Sequence, residues 1–478
     1  MISFFKKKNL QEINLINKFP WLKDLQSQKN YLVEESIDKR LSEIKGIYKF
    51  LKSDNGQNLL KSIYDEMISF GFPEYSSKIE LNLLCEIFLP KTLDEIFYNP
   101  SNGLKNSFDN GSFNQNVVIN NTYGYLIAPK GLVFIIGSAN TILPVITSTI
   151  LSYISGNVTV CQLSKSNSKI ISKFINSLPS KCSDFFHFTE LDHNNENDNR
   201  YLLEMLKTIP WDVINVWGGE EANKFYHSNS IDNPNRPQIL NMEPLTGIVL
   251  IQASYLKSNL DKVTKELASS ITEMGQQLCS SPTEGYIIND NNTEIDTIFF
   301  DNLVQNIEKY YFEFNDFETN YFKLDRMLTY AQDNNSKAFI SKKHGNKISI
   351  IKSNNSSVFE TISDDISLSI HKRRNFLEFI ELDLFSKLFD KIMKINKKNS
   401  HKEIKKIQTI LVFGDEKFFQ NTCELAKKIG AYRVVDYEYI FKRHPFESLD
   451  GKHLVNEFTY HISLIGSLPF SDKKKSSI

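Results

Sequence analysis

Cys279 is the residue of this chain best suited to covalent chemistry. It stands in Gly275-Gln276-Gln277-Leu278-Cys279-Ser280-Ser281-Pro282, just after a helical pattern and just before the strand-like run 286–288. A thiol is the one side chain in that segment able to form a covalent thioester near neutral pH, provided its surroundings draw its pKa down from about 8.5 toward a reactive thiolate. A buried structural role is the commoner one for a lone cysteine, because cysteines are among the most buried side chains. The choice between these readings depends on the segments upstream of it.

Composition narrows the classes. The chain has 478 residues, 41% of them hydrophobic and 24% charged, which is enough for a large core and too long for one simple domain. Two or three domains are therefore expected. A net charge of -1 and a pI near 6.8 give no global reason to expect nucleic acid or an anionic membrane as partner. The five cysteines, Cys85, Cys161, Cys182, Cys279 and Cys423, are odd in number and widely spread. No CxxC or Cys/His cluster points to zinc or to a disulfide framework, so no metal and a reducing cytoplasm are expected. Residues 1–8 place apolar residues ahead of lysines without a long apolar core, which is not the pattern of a signal peptide. The most apolar stretch, 141–154, is broken by Pro144 and several Ser and Thr residues and falls short of the ~20 residues of a membrane span.

Residues 1 to about 95 carry helical periodicity, as in 59–68, where apolar residues recur at i, i+3 and i+4. From 99 to 121 Asn, Ser and Gly dominate, a composition of loops and turns. Beyond Tyr125 the pattern alternates. Strands are predicted at 132–136, 158–161, 185–188 and 213–216, and helices at 144–155, about 169–178, about 201–208 and after Gly218-Gly219. Such alternation implies a parallel sheet covered on both faces, with ligands at the carboxyl ends of its strands. The second half repeats the grammar less regularly: strands at 248–251, 348–351 and 376–380, helices at 259–273 and 294–308, and a final strand, helix, strand unit at 407–413, 416–429 and 432–435. The tail 471–478, small, polar and basic, reads as disordered. No internal repeat is visible.

Four segments, in order, resemble the aldehyde dehydrogenase superfamily. The first is Pro129-Lys130-Gly131, a strand, then Gly137-Ser138-Ala139-Asn140. The resemblance implies that Asn140 points its amide at the reacting carbonyl oxygen, where charge develops in a tetrahedral intermediate. The second, Gly156-Asn157-Val158-Thr159-Val160-Cys161-Gln162-Leu163-Ser164, is similar to a strand that ends in Lys-x-Ser in the family, with Gln162 in place of the lysine that meets the adenosine ribose or its phosphate. Gln supplies a hydrogen bond and no charge, so a 2'-phosphate would need Lys165 or Lys169. The third, Val216-Trp217-Gly218-Gly219-Glu220-Glu221-Ala222, is a strand ending in glycines that open a helix, which lets a cofactor approach the backbone. In the fourth, Asn241-Met242-Glu243-Pro244, Glu243 lies 279 − 243 = 36 residues before Cys279, about where the superfamily keeps a general base.

Finer wording resembles the LuxC-type acyl-CoA reductases, the long-chain acyl-protein thioester reductases of bacterial luminescence and their non-luminous relatives. It lies in Trp217-Gly218-Gly219-Glu220-Glu221, Gln277-Leu278-Cys279-Ser280-Ser281-Pro282, Gln408-Thr409, Gly430-Ala431-Tyr432-Arg433 and Leu449-Asp450-Gly451. The resemblance covers roughly residues 120–460. It implies an α/β, aldehyde dehydrogenase-like fold: a helical N-terminal region at 1–98, a Rossmann-type nicotinamide cofactor domain at 120–242, an α/β catalytic domain at 243–440 and a C-terminal segment at 441–478. The activity it implies is NAD(P)H-dependent reduction of a long-chain acyl-CoA or acyl-protein thioester to the fatty aldehyde through an acyl-Cys279 intermediate. Catalytic roles fall to Cys279, Asn140 and Glu243, and cofactor contacts to Gly137, Ser138, Gln162, Ser164, Lys165, Gly218 and Gly219. NADP(H) is favoured over NAD(H). Acyl-transferase and acyl-protein synthetase subunits and a homo-oligomer are the implied partners. The same residues would also serve an aldehyde dehydrogenase or an acyl-phosphate reductase, and the departure at Gln162 leaves room for a non-catalytic subunit of a multienzyme complex.

Overall fold

Leu132–Ile136 is a run of five apolar residues, and every one is buried, as a strand covered on both faces requires. The computed structural model in which this is seen describes residues 15–98, 123–179, 181–192, 194–242, 245–276, 278–289, 297–312, 321, 323–325, 327–328, 336–353, 374–390, 407–443 and 447–465. The loop-like segment 99–121, Glu243, Gln277 and the tail 471–478 lie outside the described residues. The chain divides into two compact units. One comprises Met1–Phe70, Glu80–Glu243 and His444–Ile478, and the other Gly71–Ile79 with Pro244–Arg443.

The first unit begins with helices Leu25–Glu34, Ile37–Leu51 and Asp54–Ser69, then takes up the helix Glu74–Ile87 from Glu80 onward and adds Pro90–Tyr98. Ser36 and Ser53 start two of them by accepting the N–H of Lys39 and Gly56, ordinary serine caps. Strand β1 is Tyr123–Pro129. The sheet that follows consists of β2 (Leu132–Ile136), β3 (Val158–Gln162), β4 (Phe186–Thr189), β5 (Val213–Trp217) and β6 (Gln238–Met242). All pairs are parallel and the order is β4-β3-β2-β5-β6. The chain therefore builds outward from β2 through β3 to β4, then crosses back to add β5 and β6 on the other side. The reversal between β2 and β5 is a topological switch point, the place at the carboxyl ends of the strands where open α/β sheets bind ligands.

The second unit holds a seven-stranded sheet of β7 (Thr246–Gln252), β8 (Pro282–Ile288), β9 (Lys337–Ser341), β10 (Gly345–Ser353), β11 (Phe376–Leu382), β12 (Ile407–Phe413) and β13 (Arg433–Val435). Its order is β13-β12-β7-β8-β11-β10-β9, parallel except for the β9–β10 edge pair. Helices Leu260–Thr272 and Thr297–Lys309 cover one face with Val263, Leu267, Phe299, Phe300 and Leu303 against Val249, Ile287 and Phe379. Helix Glu416–Ile429 covers the other through Phe418 and Leu425 against Ile248, Tyr286 and Ile410. The strand β14 (Thr459–Ile465) pairs antiparallel with β1, so the C-terminal stretch returns to the first unit.

The alternation read from sequence is present, with four added strands, β1, β6, β9 and β14. Strand β6 was not predicted because Gln238-Ile239-Leu240-Asn241-Met242 alternates exposure without a strong apolar face. Neither β1 nor β14 has an apolar run long enough to read alone, and their pairing joins residues more than three hundred positions apart. Such long-range pairing is invisible to a local pattern.

Candidate functional site

At the switch point, Gly137 takes the chain out of β2. Its N–H donates to Gln162 O at 2.9 Å, and a Cβ there would sit 2.7 Å from Val145 Cγ2, so any side chain at this position would displace Val145 at the start of the following helix, Leu143–Ile154. Ser138 to Ile142 form the turn between strand and helix. Asn140 is exposed at its tip, between the buried Ile136 and Thr141. Two side chains from elsewhere hold the turn. Asn167 Nδ2 donates to Ser138 O at 2.8 Å and to Thr141 O at 3.1 Å. Glu80 Oε1 accepts from Thr141 Oγ1 and from the Ile142 N–H at 2.6 Å. Burial pushes the Glu80 carboxyl up to about 7, against the opposing pull of its hydrogen bonds from Thr141 and the backbone.

At the end of β3, Ser164 occupies the N-cap of helix Lys165–Asn176, and Lys165 is exposed. Gln162 turns inward instead. Its Nε2 donates to Leu191 O at 2.8 Å and its Oε1 accepts from Thr189 Oγ1 at 2.6 Å, so the amide ties β3 to the end of β4. Lys169 forms an ion pair with Glu66. At the end of β5, Gly219 is the extended N-cap of helix Glu220–Ser230, and a Cβ built there meets nothing within 4 Å. Asn223 Nδ2 closes this start by donating to Gly218 O at 3.1 Å and Gly219 O at 3.2 Å. Gly137, Ser138, Ser164, Lys165, Gly218 and Gly219 thus share the carboxyl edge of one sheet, where the N-termini of helices Lys165–Asn176 and Glu220–Ser230 lie beside the open backbone of Gly219, while that of Leu143–Ile154 is already met by Glu80. That donor set fits the phosphates and ribose of a dinucleotide.

Cys279 belongs to the second unit and precedes β8, at the amino end of its strand. The loop starts where helix Leu260–Thr272 stops at Glu273, and Met274 (φ 54°), Gly275 (φ 59°) and Gln276 (φ 58°) follow in the left-handed region. Two of these three are not glycine, and such backbone persists only where the surroundings over-determine it. Gln276 supplies much of that constraint. It is 2% exposed, and its amide donates to Pro282 O at 2.8 Å and Phe376 O at 2.7 Å while accepting the Phe376 N–H at 3.1 Å. The Glu273 carboxyl, raised above the usual range by burial, accepts from Ser269, from Tyr75 OH at 3.3 Å and from Tyr437 OH at 3.3 Å. Gly247 on β7 makes room for the loop, because a Cβ there would lie 2.5 Å from Ser280 O. Cys279 itself is half-buried, whereas Cys161 and Cys182 are fully buried. Burial pushes the Cys161 thiol up to about 12, which keeps it inert at neutral pH.

The C-terminal motifs do local structural work. Gly430 is a left-handed C-cap at φ 74°. Arg433 is buried and donates to Thr409 Oγ1 at 3.2 Å, Ile440 O at 3.1 Å and Tyr439 O at 2.8 Å, which joins two strands to the following turn. In the turn Leu449-Asp450-Gly451-Lys452, Lys452 Nζ donates to Asn241 O at 2.8 Å. It thereby fixes the end of β6, two residues before Glu243. Glu80, Asn167, Glu273 and Gln276 were not singled out from sequence. Gln276 alone carried a signal, its place in the run leading to Cys279, while the others are ordinary polar residues on helices or at a helix end. Among the described residues no group of His, Cys, Asp and Glu is arranged to hold a metal, and no helix is long and apolar enough to cross a membrane.

A Rossmann-type unit joined to a second parallel α/β unit that carries a cysteine turn defines the aldehyde dehydrogenase fold, and solved structures agree. The aldehyde dehydrogenase KauB from Pseudomonas aeruginosa is 10% identical with a TM-score of 0.66, over 95% of this chain and 89% of that one. Aldehyde dehydrogenase C (AldC) from Pseudomonas syringae, a mutant in complex with NAD+ and octanal, is 12% identical with a TM-score of 0.65, over 94% and 88%. Glyceraldehyde-3-phosphate dehydrogenase GapN from Methanocaldococcus jannaschii, complexed with NADP, is 12% identical with a TM-score of 0.62, over 95% and 94%. No curated protein matches the sequence. The family described as acyl-CoA reductase (LuxC) matches residues 102–461. The chain belongs to that family and is an oxidoreductase acting on aldehyde or acyl groups.

Proposed function

We propose that the protein reduces a long-chain fatty acyl thioester to the fatty aldehyde, with Cys279 as the acyl carrier and NADP(H) as the preferred cofactor. The observation that carries the proposal is Cys279: a half-buried thiol on a turn fixed by Glu273 and Gln276, in a chain of the acyl-CoA reductase family. In this reading the Cys279 thiolate attacks the thioester carbonyl, and the C–S bond to CoA or to a carrier breaks with the electron pair leaving on that sulfur. The acyl group is then held as a new thioester on Cys279. A reduced nicotinamide, when bound, would supply the hydride that the acyl carbon accepts. Asn140 Nδ2 and the Cys279 N–H donate to the oxyanion that forms as carbonyl bonds are lost, and Cys279 departs as thiolate when the aldehyde is released. Glu243 serves as base toward the thiol. It must not position water efficiently, since hydrolysis of the acyl-cysteine would waste it.

Gly137, Ser138, Ser164, Gly218 and Gly219 are the residues that would hold the cofactor's ribose and phosphates at the carboxyl edge. Preference for NADP(H) is supported by Lys165, exposed at the start of its helix, while Lys169 is already paired with Glu66 and Gln162 with its own sheet. The test is direct. Purified protein, long-chain acyl-CoA and either NADPH or NADH are mixed and the loss of reduced-nicotinamide absorbance is followed, alongside radiolabelled acyl transfer to the protein. Turnover with NADPH and label that vanishes in Cys279→Ala are expected. A folded protein that neither turns over nor takes label would refute the proposal.

A further inference from the structure

Helix Leu143–Ile154 lacks a cap of its own. Ile142 is the N-cap residue, no side chain there accepts a hydrogen bond, and Pro144 sits in the first turn. The first N–H groups of a helix have no partner within it, and a Ser, Thr, Asp or Asn normally supplies one. Here the acceptor comes from 62 residues earlier: Glu80 takes the Ile142 N–H and the Thr141 hydroxyl, both on its Oε1. Thr141 Oγ1 passes the contact on by accepting the Leu143 N–H at 3.2 Å. Glu80 is 1% exposed, a costly place for a carboxyl unless donors meet it. These donors are the residues that immediately follow Asn140.

We propose that Glu80 is a positioning residue for the reaction: its carboxyl oxygen, bound to Thr141 and Ile142, fixes the turn that presents Asn140. The inference rests on Asn140 as oxyanion donor. It gives the N-terminal helices a role in catalysis, and Glu80 lies outside the 102–461 stretch by which the family is matched. The backbone of 137–142 contains no left-handed residue, so the turn has no conformational lock of its own. Asn167 anchors its carbonyls from one side and Glu80 its donors from the other. Displacement of an aligned group by about 1 Å can cost on the order of 100-fold in rate. Because both hydrogen bonds converge on one oxygen, an amide carbonyl at that place serves as well as a carboxylate.

The full-length chain is assayed in whichever direction the wild type catalyses, acyl-CoA reduction or aldehyde oxidation, since both develop an oxyanion. For Glu80→Ala, kcat is expected to fall roughly 10- to 100-fold with KM for the acyl substrate within about twofold. Glu80→Gln is expected to restore kcat to within about threefold, and Glu80→Ala/Asn140→Ala to be no slower than Asn140→Ala, because a group acting through another adds nothing once that other is gone. Wild-type kcat in Glu80→Ala, equal losses in Ala and Gln, or multiplying losses in the double variant overturns the proposal. Should Glu80→Ala fail to fold, Thr141→Val decides: slowed with an intact KM supports it, and wild-type rate overturns it. Asn140→Ala at wild-type rate removes the oxyanion role itself and this proposal with it. Asn140→Ala slowed while Glu80→Ala is unaffected removes this proposal alone.

Discussion

The turn at 137–142 has ordinary backbone and is held by side chains from distant parts of the chain, Glu80 and Asn167. The turn leading to Cys279 instead carries three successive left-handed residues, and its own side chains, Glu273 and Gln276, reach out to Ser269 and Pro282 nearby and to Tyr75, Phe376 and Tyr437 far along the chain. Their places differ too. Asn140 leaves the carboxyl end of a parallel strand, and Cys279 enters the amino end of one. A presenting turn with relaxed backbone depends on its acceptors, while one with strained backbone depends on close packing and on the residues that tolerate the strain. Substitution should therefore harm the two turns by different routes.

The largest expected effect is at the tip of the first turn. Asn140→Ala should lower kcat roughly 100- to 1000-fold with the melting temperature unchanged, measured by steady-state kinetics and thermal unfolding. Parallel losses of rate and stability would make Asn140 a folding residue and erase the contrast. On the second turn, Gln276→Leu leaves two carbonyls and the Phe376 N–H without their partner and should cost roughly 2–4 kcal/mol in urea unfolding, with slower acylation of Cys279. Gly247→Ala should cost about 1–3 kcal/mol by forcing Ser280 away. Undiminished stability in both would mean that the left-handed run stands without support.

Glu80→Gln sharpens the comparison through pH. Burial raises the folded-state pKa of Glu80 from 4.5 to about 7, so between these values the folded protein binds more proton than the unfolded chain, and wild-type stability falls as pH rises through that window. The amide does not titrate. The advantage of Glu80→Gln over wild type should accordingly grow from about pH 4.5 to about 7 by on the order of 2–3 kcal/mol and then level off. Parallel stability curves would contradict it. The smallest effect is at the cofactor edge, where Lys165→Ala should raise KM for NADPH about 5- to 10-fold, close to 1 kcal/mol, and leave KM for NADH within about twofold. Equal shifts for both cofactors would detach Lys165 from the 2'-phosphate.

Much of the Rossmann-type unit was legible because its central strands are short continuous apolar runs between amphipathic helices, a pattern set by local residue order. Gly137 and Gly218-Gly219 were legible as strand ends. Gln162 was read as a ribose contact, and its bonds to Leu191 and Thr189 depend on β4 lying beside β3, which no local pattern contains. The C-terminal motifs marked the family, yet what they do, with Arg433 gathering carbonyls and Lys452 holding Asn241, appears only in three dimensions.

By itself the sequence determined the α/β alternation and the family, because side-chain period and motif spacing are local properties of the chain. Tertiary structure alone decided what holds the two presenting turns. Glu80 is an ordinary glutamate on an amphipathic helix until folding buries it against the start of Leu143–Ile154. Gln276 is one of two adjacent glutamines until Phe376, one hundred residues later, arrives to use its amide. Burial and partners come from residues far apart in the chain, and a hydrogen bond is worth most where water cannot replace it.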